Sequence, residues 1–204
     1  MYRSVILFGA AVLLSACSEG GSETANLDNV ESLPRKKVSL KHCDQPVALP
    51  AGLNAGNRVP GSKYMSKSDK KRFEKFYVWS NGFGRDRQPK LALPGLAGMS
   101  IQLTCKSGQK GHPDQIASVS VINYGCKETA LPALGQKFCS GGTTDDTIYK
   151  IAAFQSKDGK EVDFSFLASN DTAIISMSGL AAIEKFDDAR KSFFSAAATM
   201  VQPL

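Results

Sequence analysis

The first seventeen residues constrain this chain most, because they bear on the compartment in which the rest must fold. Tyr2-Arg3 gives a short, positively charged start, and Val5 to Leu14 is a run of apolar and small residues. This run is too short to cross a bilayer core of about 30 Å, which needs about 20 helical residues. A charged start, a short apolar run and a small-residue exit are typical of a secretory signal peptide. We therefore predict that residues 1–16 direct export and are then removed.

The run ends in Leu14-Ser15-Ala16-Cys17, which resembles the lipobox of bacterial lipoproteins. The resemblance implies cleavage before Cys17, a diacylglyceryl group on its thiol and an acyl group on its new amino terminus. Two or more chains anchor stably, at about 0.8 kcal/mol per buried CH₂. In this family the residue after the cysteine directs sorting, and Ser18 in place of Asp favours the outer membrane. We expect a lipid-anchored envelope protein that faces the periplasm. The alternative is an ordinary cleaved signal peptide with a coincidental cysteine.

The stretch after the cysteine has the composition of a tether. Ser18 to Leu33 contains four acids, no base and no hydrophobic periodicity. Such a segment buries too little apolar surface to offset its chain entropy. We therefore predict that residues 17–36 are the lipidated cysteine and a flexible tether. Residues 37–204 are predicted to form one periplasmic domain, large enough to bury about two-thirds of its unfolded surface.

Four cysteines remain besides Cys17, namely Cys43, Cys105, Cys126 and Cys139. An even number in an exported chain predicts two disulfides, and three connectivities are possible. We favour Cys126–Cys139, which closes a short loop, and Cys43–Cys105, which ties the first strand to the middle of the domain. Each could contribute about 2–4 kcal/mol. The chain has no Cys-x-x-Cys, so a thioredoxin-like redox role lacks its motif.

Hydrophobic periodicity predicts the secondary structure. Strands are expected over residues 46–50, 77–80, 100–105, 116–124, 147–155, 161–169 and 172–178. Two of them, 100–105 and 116–124, alternate strongly and are expected to pair. Asn81-Gly82 is a hairpin signal, although a loop after the turn fits the sequence equally. An apolar stripe predicts a helix over 187–201. Strands followed by one helix predict an α+β domain, with a mostly antiparallel sheet and a C-terminal helix on one face, stapled by two disulfides.

A second resemblance is carried by Val78-Trp79-Ser80 and by Thr172 to Val201. Together with the lipobox and the polar stretch after it, these segments are similar to the DcrB-type periplasmic lipoproteins of the PsbP-like fold. The resemblance implies an α+β sandwich and carries no defined chemistry. The four cysteines depart from that pattern, and so does the lack of a clear central helix.

Basic residues are concentrated between Arg58 and Lys90, a stretch that contains ten bases and three acids. A basic block on a near-neutral body is a candidate contact site for an anionic partner, and nucleic acid is an improbable target outside the cytoplasm. Aromatic residues interleave with these bases, as in many interface anchors. The alternatives are a solvated basic face and, for Phe76 and Trp79, a place in the core. The predicted partner-binding residues are Lys70, Lys71, Arg72, Phe83, Arg85 and Arg87.

Motifs of common enzymes are missing or incomplete. The two histidines, His42 and His112, lie beside a cysteine and in a Gly/Pro-rich loop. The chain has no Gly-x-Ser-x-Gly and no zinc-ligand spacing, and its two Ser-x-x-Lys matches lack a Lys-Thr-Gly. We therefore predict no catalytic residues, no metal and no cofactor.

The expected function is that of a membrane-tethered envelope lipoprotein that binds a partner, either a protein or an anionic envelope glycan. One version is an immunity or inhibitor protein. The alternative is a structural or assembly lipoprotein of an envelope or secretion complex. A small peptidoglycan hydrolase is the third and least favoured hypothesis.

Overall fold

The computed structural model describes residues 26–40, 43, 45–56, 76–82, 88–105, 130–170 and 173–202. Its described elements are eleven β-strands, one α-helix and three short 3₁₀ turns. The strands are β1 (Arg35–Val38), β2 (Val47–Pro50), β3 (Asn54–Gly56), β4 (Phe76–Asn81), β5 (Leu96–Cys105), β6 (Ala130–Leu131), β7 (Gln136–Lys137), β8 (Cys139–Thr144), β9 (Thr147–Gln155), β10 (Glu161–Ser169) and β11 (Ala173–Ala182). The helix is α1 (Phe186–Val201), and the 3₁₀ turns are Leu27–Asn29, Pro132–Leu134 and Ile183–Lys185.

Seven strands form one antiparallel sheet in the order β3-β4-β5-β11-β10-β9-β8. Its centre is built from successive hairpins, because polar turn residues separate the periodic runs of β9, β10 and β11. The predicted bounds of β9 and β10 are confirmed, and the helix begins one residue earlier than predicted. The fold is therefore α+β, with a mostly antiparallel sheet and a C-terminal helix, as predicted.

One face of this sheet is apolar and forms the core with α1. In β10, Phe164 and Phe166 are buried while Glu161 and Asp163 are exposed, because successive side chains point to opposite faces. The strand register aligns such buried residues in rows that cross the sheet. One row of buried side chains consists of Trp79, Ile101, Met177, Phe166 and Ile151.

The helix is buried on most of its surface, because it lies between the large sheet and a two-stranded ribbon of β1 and β2. Eleven of its 16 residues are buried, including Phe193. The Phe193 ring lies over Gly179 of β11, where an added Cβ would come within 2.8 Å of it. The Phe164 ring lies 5.2 Å from the Phe193 ring, centroid to centroid, so aromatic packing joins sheet and helix.

The turn before β5 rests directly on the start of α1. Gly95 has a φ of +81°, and a Cβ at this position would overlap the backbone of Ala189. The hydroxyl of Ser192 donates a 2.8 Å hydrogen bond to the carbonyl oxygen of Pro94. Only glycine combines this backbone conformation with such a close approach.

The N-terminal segment from Asn26 to Pro34, here called the strap, is part of the folded domain. Its Leu27 side chain is completely buried, and the Leu27 N–H donates to the Tyr149 hydroxyl at 3.1 Å. The side-chain amide of Gln202 donates to the carbonyl oxygens of Leu27, at 2.8 Å, and of Val30, at 3.0 Å. The strap is thus fixed to β9 and to the residue that follows α1.

The predicted flexible tether over 17–36 is therefore wrong for residues 26–36. Besides the contacts of Leu27, the Leu33 N–H donates to the Thr199 hydroxyl at 2.9 Å, and β1 begins at Arg35. Composition misled the prediction because the strap buries few apolar side chains, Leu27 fully and Val30 and Leu33 partly. Its other contacts are long-range hydrogen bonds. The folded part includes residue 26, and residues 17–25 lie outside the described residues.

The predicted pairing of 100–105 with 116–124 is also wrong. Both edges of β5 are occupied, one by β4 and the other by β11. Alternation specifies a half-buried strand but not its partner, so two alternating runs need not be neighbours. Residues 116–124 themselves lie outside the described residues. Asn81 ends β4, but residues 82–95 separate it from β5, so no tight Asn-Gly hairpin joins these strands.

Replacing the buried strap leucine should destabilise the whole domain. We expect Leu27→Ala to lower the free energy of unfolding by about 2–5 kcal/mol, the usual cost of emptying a core leucine site. Urea denaturation followed by circular dichroism measures the change. Asp28→Ala is the matched control, since Asp28 is next to Leu27 in the sequence and its side chain is exposed. Equal midpoints for the two variants would show that the strap is not part of the cooperative unit.

Candidate functional site

Asn81 closes the base of a loop that belongs to the basic block. Its side chain is 2% exposed, and its carboxamide oxygen accepts the N–H groups of Lys90, at 2.8 Å, and Leu91, at 3.1 Å. Its amide nitrogen donates to the Leu91 carbonyl oxygen at 2.9 Å. Gly82, with a φ of +83°, lets the chain leave β4 close to the carbonyl oxygen of Ala97. We call residues 82–90 the clamped loop.

The clamped loop contains half of the predicted partner-binding residues. Phe83, Arg85 and Arg87 lie outside the described residues, while the residues that return to the clamp, 88–90, are exposed. The sequence places three bases and one acid in this loop. The buried Asn81 side chain bonds three backbone groups of Lys90 and Leu91. Both ends of this basic loop are thus held at the end of β4.

The other half, Lys70, Lys71 and Arg72, also lies outside the described residues, within 57–75. That segment leaves the sheet after Gly56 and re-enters it at Phe76, whereas the clamped loop starts after Asn81. The two attachment points are therefore at opposite ends of β4, about 17 Å apart along a six-residue strand. The described part of the chain does not bring the two halves of the predicted site together.

The structure decides between core and interface for one aromatic residue of the block. Trp79 is 3% exposed and lies in the buried row of the sheet, so it belongs to the core. Phe76 begins β4, and its side chain is outside the described set. The aromatic character of the block at Trp79 is therefore explained by the core and is not evidence of an interface.

A cleft of about 230 Å³ opens at the other end of the sheet. Asp145 and Asp146, both exposed, lie at the turn between β8 and β9, and Asp145 has a φ of +48°. Asn170 donates a 3.3 Å hydrogen bond to the hydroxyl of Thr147 inside the cleft. No basic side chain is among the described residues that line it, which are Pro46, Val47, Ala48, Asp145, Asp146, Thr147, Asn170, Ala173, Ile175, Met200, Val201 and Gln202.

The cleft can accept hydrogen bonds, but its residues do not make a metal centre. Among the described residues, no group of three or more His, Cys, Asp or Glu side chains is placed to hold an ion. Next to the acidic turn, the hydroxyl oxygen of Thr144 is buried and makes no hydrogen bond. Thr144 pairs with Thr147 across the β8–β9 ladder. The cleft is therefore a polar depression with hydrogen-bonding groups along its wall.

The turn between β9 and β10 lies at the same end of the sheet as the clamped loop and contains a perturbed carboxyl group. The Ser156 hydroxyl donates to Asp158 at 2.6 Å, and the Lys160 N–H donates to the same oxygen at 3.1 Å. These hydrogen bonds favour the ionised form and hold the pKa of Asp158 below its ordinary value of 3.8.

The cysteines are only partly described. Cys43 and Cys139 are in the disulfide-bonded form. Cys105 is the last residue of β5, but its side chain is not among those described. Cys17 and Cys126 lie outside the described residues. Which sulfurs are joined, and therefore the two favoured pairings, stays a prediction. No helix in the described ranges is long and apolar enough to span a membrane.

Removing the Asn81 carboxamide should loosen the clamped loop. We expect Asn81→Ala to cost about 1–3 kcal/mol, because partly buried backbone groups of Lys90 and Leu91 lose their partners. Hydrogen exchange should speed up at the Lys90 and Leu91 amides. The neighbouring, half-buried Ser80 provides the control variant Ser80→Ala. Unchanged protection of those two amides in Asn81→Ala would contradict the clamp.

The Asp158 carboxyl group should titrate below its ordinary range. Because its pKa is lowered in the folded state, its stabilising contribution is present above the unfolded value and is lost as pH falls through the folded value. Ser156→Ala removes the strongest donor and should raise the Asp158 pKa toward 3.8. The side-chain carbon shift of Asp158, followed by NMR between about pH 2 and 6, measures it. An identical midpoint with and without the Ser156 hydroxyl would refute this assignment.

Comparisons with known proteins found similarity to this chain among solved structures. No family model matches the chain, and no curated protein matches it. One similar solved structure is the Ran-binding protein Mog1p of Saccharomyces cerevisiae, at 14% identity, covering 83% of this chain and 94% of that one, with a TM-score of 0.43. A mutant of protein Mog1 matches at 13% identity, covering 82% and 90%, with a TM-score of 0.40. Likeness at this level carries no inference about function.

Proposed function

We propose that this protein is a membrane-tethered lipoprotein of the cell envelope that binds an anionic partner through its clamped loop. The partner is an acidic protein or an anionic envelope glycan. The observation that carries the proposal is the Asn81 clamp, because three hydrogen bonds from one buried amide tie both ends of a basic loop to the sheet. Loops that a rigid scaffold positions in this way often contain binding residues.

The lipid anchor in the proposal rests on the lipobox-like Leu14-Ser15-Ala16-Cys17. The disulfide-bonded form of Cys43 and Cys139 supports it, since disulfides persist in oxidising compartments such as the periplasm. Ser18 after the lipidated cysteine supports an outer-membrane location facing the periplasm. The predicted absence of catalytic residues, metal and cofactor remains part of the proposal.

Two disulfides complete the proposal, Cys43–Cys105 and Cys126–Cys139. The position of the first pair is supported by the cleft, which both Pro46 and Ala173 line. Cys43 precedes Pro46 by three residues, and Cys105 pairs with Ala173 in the β5–β11 ladder. Both cysteines therefore belong to chain segments that end at the cleft. Peptide mapping of the unreduced protein would identify both bonds.

Charge reversal in the clamped loop tests partner binding. We expect the double change Arg85→Glu with Arg87→Glu to reduce capture of a partner from envelope extract by about tenfold or more, since like charges repel at an anionic surface. The bait is the mature, oxidised chain, and quantitative mass spectrometry measures the captured protein or glycan.

A matched control carries the same change in net charge at the same end of the sheet. Lys157→Glu with Lys160→Glu alters two exposed lysines in the β9–β10 turn, and it should leave capture intact. An equal loss of capture in both double variants would show that net charge alone causes the effect. Capture that survives reversal of Arg85 and Arg87 would remove the clamped loop as the binding surface.

The captured partner also separates the versions of this function. A toxin would identify an immunity or inhibitor protein, whereas a secretion or envelope assembly component would identify a structural lipoprotein. Hydrolysis of purified peptidoglycan by the wild-type chain, abolished by a single change of Glu161 or Glu184, would instead support the hydrolase.

The anchor is tested at its own residue. Cys17→Ser should abolish incorporation of radiolabelled palmitate and release the protein from the membrane fraction, because the acylated thiol is lost. Ser18→Asp is the control, since it should keep the label and shift the protein toward the inner membrane. Palmitate labelling that persists in Cys17→Ser would contradict lipidation at this residue.

A further inference from the structure

The cleft beside the β8–β9 turn is acidic, although the chain as a whole has a net charge of +6. Asp145 and Asp146 are exposed at its rim, and no base is among the described residues that line it. Neither carboxylate makes an ion pair or a hydrogen bond with another described residue. A cleft lined by charges of one sign concentrates its field on a ligand of the opposite sign. The rim therefore favours a cation.

Behind this rim the cleft is mostly apolar. Its apolar lining comes from the start of β2, from β11 and from the C-terminal end of α1, namely Pro46, Val47, Ala48, Ala173, Ile175, Met200 and Val201. Such a surface accepts an aliphatic chain while a charged head stays at the wet rim, as the side chains of lysine and arginine do on protein surfaces. The volume of about 230 Å³ is below the range of about 300–1,000 Å³ for drug-sized ligands, so it suits one short chain.

Gln202 places an oriented acceptor in the wall of the cleft. Its side-chain nitrogen donates to the carbonyl oxygens of Leu27 and Val30. Because a carbonyl oxygen only accepts hydrogen bonds, these two contacts fix which end of the amide faces the strap. The carboxamide oxygen has no partner among the described residues. The strap thus holds the amide of a lining residue so that its oxygen is left to accept from a ligand.

The hydroxyl of Thr144 is a second unused group beside the cleft. Thr144 is 5% exposed, and its hydroxyl oxygen is buried without a hydrogen bond. Thr144 and Thr147 are opposite residues in the β8–β9 ladder, so their side chains lie on the same face of the sheet. Thr147 itself lines the cleft. A buried hydroxyl without a partner destabilises the free chain, and a ligand that donates to it removes this penalty.

We propose that the cleft binds a primary ammonium group on a short aliphatic chain, supplied by a free alkylamine or by a lysine side chain. An ammonium group has three donors and no acceptor, which matches a site that offers only carboxylate, carboxamide and hydroxyl oxygens. The nitrogen donates to the Asp145 and Asp146 carboxylates, to the Gln202 oxygen and to the Thr144 hydroxyl oxygen in different combinations of three. The aliphatic chain lies on the apolar lining. This site depends neither on the lipid anchor nor on the clamped loop.

NMR titration of the purified, oxidised chain with n-butylammonium tests the site. We expect saturable shifts of the backbone amides of Asp146, Thr147, Asn170 and Gln202, while the amide of Gly159, at the distant β9–β10 turn, stays in place. The neutral control n-butanol has the same chain without the charge, and it should bind at least about tenfold more weakly. Equal binding of the alcohol would overturn the proposal, and so would the absence of saturable shifts.

A second ligand distinguishes the two sources of the ammonium group. Nα-acetyl-lysine methylamide presents the same four-carbon chain attached to a peptide backbone. If it binds as tightly as n-butylammonium, the cleft accepts a lysine side chain of another polypeptide. If it binds about tenfold or more weakly, the ligand is a free amine, because the peptide backbone then does not fit at the rim.

A pair of adjacent acids elsewhere provides the matched control for charge. The double change Asp145→Asn with Asp146→Asn should weaken n-butylammonium binding by about tenfold or more, and asparagine tolerates the positive φ at residue 145. Asp187→Asn with Asp188→Asn changes the net charge equally at the start of α1, about 20 Å along the helix from the cleft, and should leave binding intact. Equal weakening in both double variants would overturn the proposal.

Thr144→Val removes only the unused hydroxyl. We expect binding of n-butylammonium to weaken by about threefold or more, whereas the urea midpoint of the free chain should stay the same or rise, because no hydrogen bond is lost. A purely structural role of Thr144 would leave binding unchanged. That result would overturn the proposed set of acceptors.

Discussion

Contact between α1 and the apolar face of the large sheet supports every other feature of this domain. The Phe193 ring occupies the space that Gly179 leaves open, and Gly95 lets the turn before β5 lie against the Ala189 backbone. Because the helix is held this closely, its outer side can receive a second layer, the β1–β2 ribbon and the strap. The positions of the strap and of the ribbon both depend on this one packing interaction.

Local periodicity was sufficient to predict the C-terminal third of the fold. The residues of β9 and β10 alternate between apolar and polar, and the turns between them have strong local signals, so neither prediction needed a distant partner. The strap depends instead on contacts over more than 100 residues, such as Leu27 with Tyr149. No local pattern encodes them, and the acidic segment that includes the strap therefore had the composition of a tether. The partners of β5 were mispredicted for the same reason.

The candidate site was predictable in its charge and not in its geometry. The sequence identified a basic block, but it could not show that β4 separates the block into two parts that attach at opposite ends. The role of Asn81 was also hidden, since an Asn-Gly pair signals a turn whether or not the amide is buried. Its three hydrogen bonds depend on the return of the chain at Leu91, which is a tertiary property.

The hydrogen bond between Gln202 and Leu27 joins residues that are 175 positions apart. During synthesis, Leu27 emerges early and Gln202 almost last, so the strap can dock only after nearly the whole chain is available. A chain interrupted before Thr199 would lack both Thr199 and Gln202, and its N-terminal segment would remain accessible to proteases. Docking of the strap thus distinguishes complete molecules from truncated ones, and it gives proteases a local criterion for removing the latter.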